Sequence, residues 1–370
     1  MKSALIQFFF FAIAMVFTTS ILAQPTPAPK QTESILIVGG TAHLGNGDVL
    51  FDAAIGFENG VITYVGNVNQ APKNDYKQIV DGTGKHIYPG FITPNSTLGL
   101  QEVGAVRATR DQYEIGTFRP NVRAVIAFNT ESEITPTVRT NGVLLGQICP
   151  RGGTLSGTSG IVHFDGWNWE DAAIVMADGI HMNWPGMFHR HYKSGKSDIK
   201  RRKSVDQTLM EIDDFFEKAK AYANGSSNLT DLKFESMAGL FDGSQKLYVH
   251  AQDVKQISEA VQFKKKMGIK SMTIVGGYES YLCADLLRDN NISVMVRRVH
   301  DLPRYEGDDV DLPFKLPKLL ADEGVLFCLE NAGDMEQMGT RNLPFYAGTA
   351  AAYGLTYEQA VQSITLNTAK

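Results

Sequence analysis

Side chains that could activate water or hold a metal ion are few in this sequence and far apart. The only His-x-His pair is His189-Arg190-His191. In an extended segment that spacing turns both imidazoles to one side, an arrangement suited to two of a zinc ion's ligands. No acidic or histidine partner follows at a fixed interval, so a solvated loop is the preferred reading. His250 closes the apolar run Leu247 to Ala251, where a lone imidazole either completes a buried hydrogen bond or binds an ion. Asn95-Ser96-Thr97 matches a glycosylation sequon, but a buried strand end would hide it. Gly152-Gly153-Thr154 and Gly157 lack the Gly-Lys-Ser/Thr ending of a phosphate loop. Trp167, Trp169 and Trp184 could wall a pocket or pack an insertion onto the body of the fold.

The formal charge of -5 argues against a general nucleic-acid binder, which needs Lys and Arg in excess on one face. Lys200-Arg201-Arg202-Lys203 is the one strong basic run and reads as a solvated loop or helix start. Residues 1–23 have the layout of a signal peptide, with Lys2, an apolar stretch from Leu5 to Phe17 and an exit at Ala23. The expectation is therefore an exported protein, periplasmic or secreted, with no stable membrane anchor after cleavage. Residues 24–34 follow as a Pro-rich tether. Cys149, Cys283 and Cys328 are odd in number and lie in apolar runs, so buried free thiols are expected rather than disulfides.

These residues must be positioned by two kinds of element. Ile35-Leu36-Ile37-Val38 reads as a strand closed by Gly39-Gly40. The alternation from Ala53 to Val65 breaks at Glu58-Asn59-Gly60 as a hairpin does, because a type I′ turn needs positive φ at both central residues. Residues 35–88 thus read as a small β-domain. Farther on, strand and helix patterns alternate: Leu247 to Ala251, then Val254, Ile257 and Val261 at helical spacing; Ser271 to Val275, then Glu279 to Asp289 with Leu282 and Leu286 on one face; then Ile292 to Val296 and Val325 to Leu329. Alternation of this kind implies a parallel sheet, doubly wound or closed into a barrel. Val205, Leu209, Ile212 and Phe216 mark an amphipathic helix. The polar, aromatic residues before it, about 178–204, read as an irregular insertion. Thr356 to Gln359 has the form of a capping box.

Tyr88-Pro89-Gly90-Phe91-Ile92, arriving directly after a small β-domain, resembles the approach to the first barrel strand of the amidohydrolase superfamily, in particular its imidazolonepropionase-like members. Further resemblance lies in Gly146-Gln147 to Gly153, Val249-His250-Ala251, Ile274 to Glu279, Asn342 to Gly348, and Thr365-Leu366-Asn367-Thr368-Ala369-Lys370. The resemblance implies an α/β protein with a (β/α)8 barrel over residues 89–370 and an incomplete N-terminal β-domain. It also implies a further segment beyond Lys370, so that the chain reads as truncated.

In that family a divalent metal, usually zinc, acidifies a bound water that attacks a carbon–nitrogen bond. The resemblance places Thr93, Asn95 and Thr97 where an acidic residue and two histidines would stand, Gly276 or Gly277 in place of a sixth-strand histidine, and Asn331 near an aspartate. His250 keeps its place as a metal ligand. Glu330 and Asp334 are the carboxylates nearest the eighth strand and become the candidate catalytic groups. Asn95, Thr97, Gln147, Arg298 and Asn331 become candidate contacts to a small-molecule substrate. Two outcomes follow: a hydrolase of non-peptide carbon–nitrogen bonds with one divalent ion, zinc first, or a binding protein or partner subunit with none. Under either outcome the chain is expected to be able to form a homo-oligomer or to pair with an active paralogue.

Overall fold

A computed structural model describes residues 26–193, 196–225, 229–333 and 335–370, with side chains left out over 189–199. The expected signal peptide and Asp334 lie outside the described residues. Among the described residues no helix is long and apolar enough to cross a membrane.

The N-terminal sheet is built from β1 (Ile35–His43), β2 (Val49–Glu58), β3 (Val61–Asn67), β4 (Gln78–Asp81) and β5 (His86–Ile87). Its order is β3-β2-β1-β4, with β5 also on β1. The hairpin falls where expected, with Asn59 at φ 51° and Gly60 at φ 76°. Gly39-Gly40 does not close β1: the strand runs on to His43, with irregular register between Val38 and Ala42. A glycine permits the local kink because Gly39 takes φ 80°.

The second sheet has eight strands, in the order β15-β14-β13-β12-β9-β8-β7-β6. They are β6 (Phe91–Ser96), β7 (Val143–Ile148), β8 (Leu155–His163), β9 (Ala173–Asn183), β12 (Lys246–Ala251), β13 (Ser271–Gly276), β14 (Ser293–Val296) and β15 (Phe327–Leu329). β15 returns beside β6, so the sheet is rolled into a nearly closed barrel. Seven strands run parallel and β8 runs against both neighbours. Two reversals, not two helical crossovers, therefore join β7, β8 and β9.

Residues 178–204 are not irregular, contrary to the expectation. Their first part completes β9, and β10 (Phe188–Lys193) pairs with β11 (Lys196–Arg201) as a hairpin. The extended His189-Arg190-His191 segment lies in β10. The polar and aromatic composition hid a strand that meets other strands on both edges.

Helix Val205–Ala223 buries Val205, Ile212, Phe216 and Ala219, a spacing that keeps one stripe against the barrel. Phe216 meets Phe263 edge to face at 4.9 Å between ring centroids, a buried aromatic contact of about 0.5–1.5 kcal/mol beyond area burial. Helix Val254–Met267 starts at a full capping box from Asp253 and Gln256 and stops at Gly268, φ 77°. The segment after β13 splits into a 3₁₀ turn, Ser280–Cys283, and a short helix, Ala284–Asp289. Leu282 therefore does not share a buried face with Leu286; it is 60% exposed. The Thr356 capping box forms as expected.

Candidate functional site

The carboxyl ends of the parallel strands gather at one mouth of the barrel, where such folds carry their chemistry. β6 delivers Asn95 through a bulge: Thr93 and Ser96 oppose Gly146 and Ile148, one residue too many on β6. Asn95 takes φ 48° there, a left-handed conformation that asparagine tolerates better than most residues. The bulge re-aims its side chain. Its Nδ2 donates to Glu330 Oε2, joining the first strand to the last across the seam of the barrel. The Asn95 backbone N–H donates to Gln147 Oε1 at 3.0 Å. Gln147 Nε2 in turn donates to Asp178 Oδ2 at 2.6 Å, and Tyr248 OH donates to the same oxygen at 2.7 Å.

Glu330 is 1% exposed. Burial pushes its carboxyl up to about 7, although the Asn95 amide and the Arg151 charge favour the ionised form. Arg151, just beyond β7, donates from Nη2 to the Asn95 carbonyl at 2.7 Å and to Glu336 Oε1 at 2.9 Å. Thr97 Oγ1 donates to the same Glu336 oxygen at 2.6 Å. Asn331 is tied up in structure, giving its amide to the Glu336 carbonyl and accepting from Tyr346 OH at 2.6 Å.

On the far side, His250 and His181 face each other, His250 Nε2 lying 3.0 Å from His181 Nδ1. Register explains the meeting: β12 and β9 run parallel, with His250 beside Asn183 and Tyr248 beside His181. Tyr248 stacks on His181 at 4.7 Å. Burial, then the Arg151 charge, lowers His250 to about 3, and burial with its neighbour His250 holds His181 well below the usual imidazole range. Both rings are neutral at physiological pH. Thr93 Oγ1, Asn95 Oδ1 and His181 Nε2 are buried without a protein partner. Such atoms cost about 1–3 kcal/mol each unless a ligand or water meets them, which favours a working site over a packed interior.

The described residues do not fit a divalent metal site. Among them no group of three His, Cys, Asp or Glu is placed to hold an ion. The two imidazole nitrogens of His181 and His250 would leave a tetrahedral ion two ligands short. On the sixth strand Gly276 takes φ 97°, and a Cβ there would stand 1.9 Å from the Gln252 amide nitrogen. No histidine can replace it without moving Gln252.

The structure thus brings Asn95, Glu330, Gln147 and Thr97 into one hydrogen-bonded mouth and sets His250 across from them beside His181. Arg298 instead lines a cleft of about 270 Å³ with Arg297, Gln252 and Tyr278. Arg151, His181, Asp178 and Glu336 were not foreseen as site residues. Arg151 lies inside the Gly146 to Gly153 motif, and His181 sits between apolar Ile180 and Met182, the pattern of a strand. All three cysteines are free, and burial holds the Cys149 and Cys328 thiols protonated, Cys328 at about 12.

No family model matches the chain. A stretch of 50 residues is 42% identical to the imidazolonepropionase of Bacillus cereus (strain ZK / E33L) and covers 14% of this chain and 12% of that protein. The imidazolonepropionase of Bacillus thuringiensis (strain Al Hakam) is 40% identical over a stretch of the same coverage. The match therefore spans a small part of either relative. Among solved structures, the amidohydrolase from Thermotoga maritima MSB8 superposes with a TM-score of 0.76 at 23% identity, covering 90% of this chain and 88% of that one. A Xaa-Pro dipeptidase with bound methionine gives 0.52 at 14% identity, covering 91% and 88%. The ochratoxinase from A. niger gives 0.50 at 13% identity, covering 90% and 83%. With its rolled eight-strand sheet and appended β-domain, the chain has the fold of the amidohydrolase superfamily.

Proposed function

We propose that this protein is an exported hydrolase that cleaves a carbon–nitrogen bond in a small substrate, with Glu330 as its general base and acid. The observation that carries the reading is a buried carboxyl at the end of the last barrel strand, held by Asn95 and poised near neutrality. Ionised Glu330 takes a proton from water as the water oxygen bonds to the substrate carbon. The carbon–nitrogen bond then breaks, and protonated Glu330 returns its proton to the departing nitrogen. The export component rests on the residue 1–23 pattern alone.

The test is a panel of cyclic amides, amidines, N-acyl amino acids and Xaa-Pro dipeptides, assayed by product formation with the wild type and Glu330→Gln. Turnover that falls about 10²–10⁴-fold in the variant supports the reading; turnover that survives intact removes Glu330 from it. A binding protein is the second reading, favoured because Asn95–Glu330 and His181–His250 already partner one another without ligand. Saturable binding of a panel member with no product from the wild type would select it.

A further inference from the structure

Among the described residues the mouth holds no set of metal ligands, but it does hold a fixed positive charge. Arg151 leaves β7 at the mouth, and its side chain is only 17% exposed. Nη2 is spent on the Asn95 carbonyl and on Glu336, 2.7 and 2.9 Å away. Nη1 makes only a long contact, 3.4 Å, to the Pro150 carbonyl. The Cys149 sulfur takes a further hydrogen bond from the guanidinium; of its five N–H donors at least one is left for an incoming oxygen. The group is also clamped from behind. Arg119 Nη2 donates to the carbonyls of Arg151 and Gly152, and the Arg151 backbone N–H donates to the Gln112 carbonyl at 2.7 Å.

We infer that the Arg151 guanidinium stands in for the divalent metal, as a fixed cation that hydrogen-bonds the substrate's carbonyl oxygen and stabilises the negative charge that forms on it when water adds. The inference rests on the hydrolase reading for its chemistry. A metal would supply that charge as a Lewis acid; here a side chain bonded to the β6 backbone supplies it, already oriented. Glu336 offsets part of the charge and fixes the plane of the guanidinium. Thr97 holds Glu336 in turn, which gives the β6 residue in a former ligand position a new task.

Three measurements on the full chain test this. Zinc titrated into the wild type by calorimetry is expected to give no stoichiometric binding, and a one-to-one site of micromolar affinity or tighter overturns the inference. Inorganic phosphate serves as a probe for a tetrahedral anion at the mouth. Its affinity is expected to fall at least tenfold in Arg151→Gln and to recover largely in Arg151→Lys, and equal affinity in all three proteins overturns the inference. With a substrate from the panel, kcat/KM is expected to fall about 10²–10³-fold in Arg151→Gln, with partial recovery in Arg151→Lys and no loss under chelator. A wild type that turns over nothing defeats the hydrolase reading alone, because the zinc and phosphate titrations still decide the role of Arg151.

Discussion

Two clusters in this protein use the same side chains and sit at opposite ends of the barrel. At the mouth, Glu330, His250, His181 and Arg151 surround unsatisfied atoms. At the other end, ahead of β6, His43 lies 2.7 Å from Glu358 through Nδ1 and 2.9 Å from His86 through Nε2, and stacks on Tyr88 at 4.6 Å. Drawn alone, Glu358–His43–His86 looks more like catalytic machinery than the mouth does. It joins the small sheet to helix Tyr357–Ser363, and both imidazole nitrogens of His43 are engaged. The contrast teaches that polar composition does not mark a site in this fold. Place relative to the strand ends does; an unsatisfied atom alone does not, since Glu358 Oε2 in the second cluster is also buried without a partner.

The sharpest way to break this contrast is to compare activity and stability across the two clusters. Glu330→Gln should reduce kcat about 10²–10⁴-fold while leaving the urea midpoint close to that of wild type at pH 5, where Glu330 is protonated. A comparable loss of kcat in His43→Ala would erase the distinction.

The pH dependence of stability should separate the charges within the mouth. Glu330 is raised from an ordinary 4.5 to about 7, so its protonated form favours the fold. That contribution is complete below about pH 4.5 and disappears as pH rises to 7, on the order of 3 kcal/mol in all. His250 is lowered from 6.5 to about 3, so its neutral form favours the fold. Its contribution is complete above about pH 6.5 and drains away as pH falls toward 3. Between pH 4.5 and 6.5 the two oppose each other and flatten the wild-type curve. In Glu330→Gln, denaturation midpoints should fall steadily with acid over that window, and in His250→Gln they should fall with base. Curves that match wild type in both variants would contradict the burial assigned to these groups.

At the other end, His43→Ala should lower unfolding free energy by about 2 kcal/mol, since it removes a buried imidazole from half-buried Glu358 and exposed His86 and leaves Glu358 without that partner. Turnover below the melting range should not change. The smallest effect belongs to an exposed pair outside both clusters: Lys218→Ala removes the ion pair to Asp214, with side chains 60% and 64% exposed. A change below about 0.5 kcal/mol is expected there, and a larger one would mean that surface charge matters as much as either cluster.

Much of the architecture was legible wherever a local rule suffices. Asn59-Gly60 announced its turn, Asp253 and Gln256 their capping box, and β12 to β15 their alternation with helices. β8 was not legible, because its run from Leu155 to Gly160 is buried on both faces and carries no alternation, and strand direction leaves no mark in composition. Half of the mouth was legible too: Asn95, Gln147, Glu330 and His250 follow from the resemblance. His181 and Arg151 did not, because their roles depend on the β9–β12 register and on a loop returning from β7. Leu282 was misplaced because a 3₁₀ turn rotates it away from Leu286.

The reversed strand has a mechanical consequence. Without helical crossovers around β8, the long connection between β6 and β7 takes over that part of the wall, with Thr158 N–H donating to the Val122 carbonyl at 2.7 Å and Arg119 N–H to the Leu155 carbonyl at 3.1 Å. Arg119 in the same connection grips the carbonyl behind the guanidinium at the mouth. Outer staves and inner chemistry are thereby lashed by one rope, and a ligand held by Arg151 would be heard on the outside as slower amide exchange at Thr158 and Arg119.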